Sequence, residues 1–96
     1  MEHVFIKIVN VKVLRPYQIE VFFDDETSKK IDLEKILRGE LFGPLKNVDL
    51  FNKVRVNPEI NTIEWPNGAD FDPSMLYQWD EVKDDFIQMA SNWETE

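Results

Sequence analysis

The run Trp65-Pro66-Asn67-Gly68-Ala69-Asp70, followed by Asp72-Pro73 and Leu76-Tyr77, limits the possible folds more tightly than any other part of the chain. Trp65 closes a short apolar alternation. Pro66 removes a backbone donor and pushes Trp65 toward extended geometry. Asn67-Gly68 is the pair most tolerant of positive φ, so a tight turn belongs there. Asp72-Pro73 is an N-cap followed by a first-turn proline, which opens a helix. The box therefore predicts a strand end, a turn and a helix start in close succession, with Asp70 and Asp72 held near an indole.

The rest of the chain supplies the elements that this box must join. His3 to Arg15 reads as one long strand whose apolar parity changes between Ile8 and Val11, which implies a bulge at Val9-Asn10. Ile19, Val21 and Phe23 form a second strand, Asp24 to Thr27 a polar hairpin loop, and Lys29, Ile31 and Leu33 a third strand. Asp32 is placed to cap a short helix through Leu33, Ile36 and Leu37 that Gly39 stops. Leu41, Phe42, Pro44 and Leu45 make an apolar connector, and Val48 to Phe51 one helical turn. Val54-Val56 and Thr62-Trp65 complete a second hairpin around Asn57-Pro58-Glu59. From Pro73 to about Trp93, Leu76, Trp79, Val82, Phe86, Met89 and Trp93 recur at spacings of three and four, the stripe of an amphipathic helix. The expected fold class is α+β: an antiparallel sheet of about five strands with short helices on one face and a C-terminal amphipathic helix. The whole is one domain, with residues 1–77 as its body and 78–96 as a helical extension of the same domain.

Composition narrows the function classes. The formal charge is −8, from 19 acidic and 11 basic residues, so phosphate backbones are repelled and direct nucleic-acid binding is not expected. The chain has no cysteine, which removes disulfides and thiolate chemistry and suits a reducing cytoplasm. Met1-Glu2-His3-Val4 lacks the basic and apolar segments of a signal peptide, and no apolar run approaches the ~20 residues that span a bilayer. A cytoplasmic, membrane-free location is the expectation.

No constellation reads as catalytic. His3 is the only histidine and stands near the chain start. Ser28, Ser74 and Ser91 lack any motif that activates a hydroxyl. Asp70 and Asp72 do not suffice for a calcium loop, which needs more oxygen ligands at regular spacing. No catalytic residue, metal ligand or cofactor is therefore expected. The structural reading of the two carboxylates is a helix cap for Asp72 and, for Asp70, acceptance of turn amides. The binding reading groups Trp65, Asn67, Asp70 and Asp72 around one pocket. Trp79, Phe86, Met89 and Trp93 form a second candidate, an interaction surface on the tail that either covers the domain's own sheet or meets another chain.

These motifs together resemble a known family. Gly39-Glu40-Leu41-Phe42-Gly43-Pro44-Leu45, Leu50-Phe51, Val54-Arg55-Val56 and Ile63 to Asp70 with Pro73 and Leu76-Tyr77 are similar to the bacterial domain of unknown function 2442 family. Phe23-Asp24-Asp25 and Ile31-Asp32-Leu33 fit its hairpin, so the resemblance covers roughly residues 3 to 77. It implies a small α+β module without established activity. Members of the family are often encoded beside a small partner protein, in an arrangement like a toxin–antitoxin pair. Some relatives add a DNA-binding helix-turn-helix; this tail offers one helix and no Lys/Arg cluster. Glu26 stands where relatives carry a turn glycine, so the loop is expected to avoid positive φ there and to be longer or looser.

The leading functional expectation is a non-enzymatic interaction module, the acidic antitoxin-like partner of a basic protein. One alternative is a small-ligand or enzyme-like domain with its pocket at the Trp65 box. Another is a self-associating unit, a homodimer through the C-terminal helix.

Overall fold

The computed structural model describes residues 5–92. β1 (Ile8–Arg15), β2 (Gln18–Phe23) and β3 (Ser28–Asp32) form an antiparallel sheet in the order β1-β2-β3. The predicted bulge is present: Ile8 pairs with Phe23 and Asn10 with Phe22, leaving Val9 as the extra residue. Inward residues accordingly switch from Ile6 and Ile8 to Val11 and Val13. β1 begins at Ile8, and His3 lies outside the described residues.

Both turns of this sheet place a non-glycine residue at positive φ. Tyr17 has φ 71°, unusual for a bulky residue, and follows Pro16 in the β1–β2 turn. Its carbonyl accepts Leu33 N–H at 2.7 Å, its hydroxyl donates to Lys46 O, and its ring meets Phe51 edge-on at 5.6 Å. In the β2–β3 loop Glu26 has φ 72°, so the expectation of a looser loop without positive φ is overturned. Phe23 N–H and Thr27 O close the loop at 2.8 Å, and Glu26 N–H donates to Phe23 O at 3.1 Å. Asp25 Oδ1 accepts Thr27 N–H at 3.0 Å and its hydroxyl at 2.5 Å. These bonds offset a left-handed conformation that costs a residue with a side chain about 1–2 kcal/mol.

The connector packs through Ile36, Leu37 and Leu45, all fully buried. Asp32 Oδ1 accepts Glu34 N–H at 2.9 Å and opens a 3₁₀ turn, Glu34–Ile36, where a short helix was expected. Gly39 does not stop that turn. It lies at φ 79° and begins α1 (Gly39–Phe42), which a second 3₁₀ turn, Gly43–Lys46, follows. α2 (Val48–Phe51) is capped by Asn47, whose Oδ1 accepts Leu50 N–H at 3.3 Å.

β4 (Arg55–Asn57) and β5 (Thr62–Glu64) pair with each other in a separate two-stranded sheet, which corrects the expectation of about five strands in one sheet. Each strand is three residues long and spends its backbone groups on its partner. Ile8 N–H donates to Asn61 O at 2.9 Å, a main-chain bond that joins this hairpin to β1.

The tail is α-helical but in two pieces, α3 (Pro73–Tyr77) and α4 (Trp79–Ala90), broken at Gln78. This corrects the expectation of one continuous helix. In α3 Leu76 is buried; in α4 Trp79 and Ala90 are buried and Val82, Phe86 and Ile87 half-buried, so α4 packs on the chain's own core. Met89 falls at the margin of that face and is 53% exposed; Trp93 lies outside the described residues.

Candidate functional site

The Trp65 box folds as a tight hairpin. Gly68 N–H donates to Trp65 O at 3.0 Å, Trp65 N–H donates to Ala69 O at 2.8 Å, and Gly68 takes φ 93°. This is the three-residue hairpin pattern that places glycine at the left-handed position. The pairing continues to a bridge between Glu64 and Asp70.

The four residues of the box that were candidates for binding have separate surroundings. Trp65 is 1% exposed, and its Nε1–H donates to Phe51 O at 2.9 Å, a main-chain carbonyl rather than a carboxylate. Asn67 is exposed yet doubly engaged: Nδ2 donates to Leu41 O at 2.9 Å and Oδ1 accepts Ala69 N–H at 3.2 Å. The turn amide expected to meet Asp70 is therefore held by Asn67, the shorter reach within the turn. Asp70 is exposed. Asp72 caps α3 as expected, accepting Ser74 N–H at 2.9 Å and Ser74 Oγ–H at 2.8 Å. It also lines a cleft of about 190 Å³ between residues 5–7, Asn61 and the start of α3, a cleft that Trp65, Asn67 and Asp70 do not line.

Sequence reasoning passes over the residue that joins these parts, Phe71. It is buried and stacks on Phe42 at 5.0 Å, meets Trp65 at 5.8 Å and Phe86 at 6.0 Å. Its carbonyl accepts the buried Thr62 hydroxyl at 2.6 Å. The aromatic contacts continue from Trp65 to Phe51 and from Phe86 to Trp79. Each large ring buried here contributes several kcal/mol at about 25 cal/mol per Å².

A second junction joins the β2–β3 loop to the tail. Tyr77 O–H donates to Asp25 Oδ2 at 2.7 Å, and the Tyr77 ring meets Phe23 edge-on at 5.0 Å. Hydrogen bonds from Thr27 and then Tyr77 lower the Asp25 pKa from its ordinary value, and the same carboxylate raises that of Tyr77. On β4–β5, Glu64 accepts Asn57 Nδ2–H at 2.8 Å and Arg55 Nη2–H at 2.7 Å, which lower its pKa. The signals for the loop junction, Asp24-Asp25 and Leu76-Tyr77, are both in the sequence, but their pairing across the fold is not.

The outward face of α4 has a different character. Asp80, Glu81, Asp84 and Asp85 are exposed beside Lys83. Beyond them a shallow surface depression of about 620 Å³ is lined by Asp85, Gln88, Met89, Ser91 and Asn92. Asp80 makes an ion pair with Lys29 at 3.5 Å. Among the described residues no group of three or more His, Asp or Glu is placed to hold a metal ion, and no helix is long and apolar enough to cross a membrane.

The fold and its joined motifs thus define a small α+β domain in which the Trp65 box and Phe71 tie the elements together. The chain belongs to the family described as Protein of unknown function (DUF2442), whose model matches residues 8–81. The match runs past α3 into the first turn of α4. Comparison with curated proteins gave no match. Comparison with solved structures gave none either.

Proposed function

We propose that this protein is a non-enzymatic interaction module, the acidic antitoxin-like half of a two-protein pair, and that it receives a basic protein on the outward face of α4. The observation that carries this reading is the division of α4. Its apolar residues turn to the core, while Asp80, Glu81, Asp84 and Asp85 stand exposed against one lysine, Lys83. A chain of net charge −8 adds a long-range field of the same sign. Such a surface speeds encounter with a basic partner and rejects acidic ones. The engagement of Trp65, Asn67 and Asp72 within the fold favours this reading over a ligand pocket at the box.

The natural candidate partner is the product of the adjacent gene, because the family resemblance implies paired genes. Mixing the two purified proteins at low salt is expected to give one co-eluting species on size exclusion that weakens as salt rises. Unchanged elution of both proteins at low and at moderate salt contradicts the proposal.

A further inference from the structure

Tyr77-Gln78-Trp79 contains neither glycine nor proline, yet the helical tail breaks there. Gln78 has φ −101° and ψ 22°, about 40° and about 65° from helical values. Main-chain bonds on each side persist: Gln78 N–H donates to Ser74 O at 3.0 Å, and Val82 N–H to Gln78 O at 3.2 Å. The bonds that a continuous helix adds, Trp79 N–H to Met75 O and Asp80 N–H to Leu76 O, are not made. Among the described residues, the buried Gln78 side-chain oxygen has no hydrogen-bond partner, an energetic cost at the residue where the helix breaks.

The sequence, by contrast, is in phase for one unbroken helix, with Leu76, Trp79, Val82 and Phe86 on a single stripe. What holds the bend is docking: Trp79, Phe86 and Ala90 against the chain's own core, and the exposed Lys29–Asp80 pair at 3.5 Å. Local preference and tertiary docking therefore oppose each other at one residue.

We propose that α4 exchanges between two copies of this chain. Gln78 straightens, α3 and α4 become one helix, and each α4 docks its apolar face on the core of the other copy. Beyond the hinge, the apolar residues of α4 from Val82 to Ala90 meet the same cradle in both forms, because the segment and its cradle are the same. The exchanged form gains the missing main-chain bonds and loses the freedom of two separate chains, so it is favoured by concentration. The acidic face of α4 remains outward, so this inference goes beyond the proposed function and does not depend on it.

The test uses the full chain, refolded at high concentration and followed by sedimentation equilibrium. Asp80 is the second residue of α4, where proline is compatible with a helix start; in a continuous helix, proline there removes a bond and clashes with the preceding turn. Asp80→Ala removes the same ion pair and leaves the straight helix intact. A dimer is expected for wild type and for Asp80→Ala, with the Asp80→Pro dimer weakened by about 100-fold or more. A wild type that stays monomeric, or an Asp80→Pro dimer as tight as wild type, overturns the proposal. A second readout does not depend on the variant folding. In wild-type dimers refolded from mixed isotope-labelled and unlabelled chains, zero-length carbodiimide coupling of Lys29 to Asp80 is expected to join labelled to unlabelled peptides. Links confined to one label overturn it.

Discussion

At the scale of single residues, the polar side chains of the Trp65 box and of the β2–β3 loop act as ties between elements. Asn67 holds the box turn to the Leu41 carbonyl, and Asn67→Ala is expected to cost about 1–2 kcal/mol in urea unfolding, with no change in fold. Asp72→Ala loses the α3 cap and is expected to cost about 1 kcal/mol by the same measurement. The Asp25–Tyr77 junction makes a prediction about pH. The folded Asp25 pKa lies below its ordinary 3.8, so its contribution is complete above the unfolded value and is lost as pH falls through the folded one. The folded Tyr77 pKa lies above 10.0, so its contribution is complete below that value and is lost as pH rises through the folded one. Carboxyl NMR titration should place Asp25 below 3.8 in wild type and move it partway back in Tyr77→Phe, since the Thr27 bonds remain. An unmoved Asp25 would mean that the tyrosine makes no such bond in solution.

At the scale of elements, what could be read from the chain depended on whether the signal was local. The Val9 bulge, the positive φ of Gly68 and the Asp72 cap follow from adjacent residues and are all present. The division into two sheets was not legible, because the three-residue length of β4 and β5 is set by hydrogen bonds and not by side-chain pattern. The break at Gln78 was hidden for the opposite reason: the periodicity there supports a straight helix, and docking overrides it. Of the candidate site, the cap was visible, whereas the burial of Trp65 against Phe51 needs a contact across 14 residues of sequence. The two sides of α4 are separable by mutation. Trp79, 4% exposed, is expected to cost about 3–5 kcal/mol on truncation to alanine. Met89→Ser should stay within about 0.5 kcal/mol of wild type. Chemical denaturation of the two variants checks both, and similar losses would contradict docking of α4 on its own core.

At the scale of the whole molecule, the buried aromatic contacts from Phe51 through Phe71 to Trp79 hold the connector, the box and the tail as one body. That body leaves the acids of α4 exposed to solvent, where charge of one sign would steer the proposed basic partner. Because the acids are exposed and spaced along one helix, reversing two of them should leave stability nearly unchanged while altering encounter. The most direct measurement is the association rate with the adjacent gene's product, by stopped flow, for wild type and for the Asp84→Lys, Asp85→Lys double variant over a range of salt. The expected result is a wild-type rate that falls steeply with salt and a variant rate lower by about tenfold or more at low salt, converging on wild type at high salt. Equal rates for the two proteins at low salt would contradict a role for the acidic face of α4 in partner recognition.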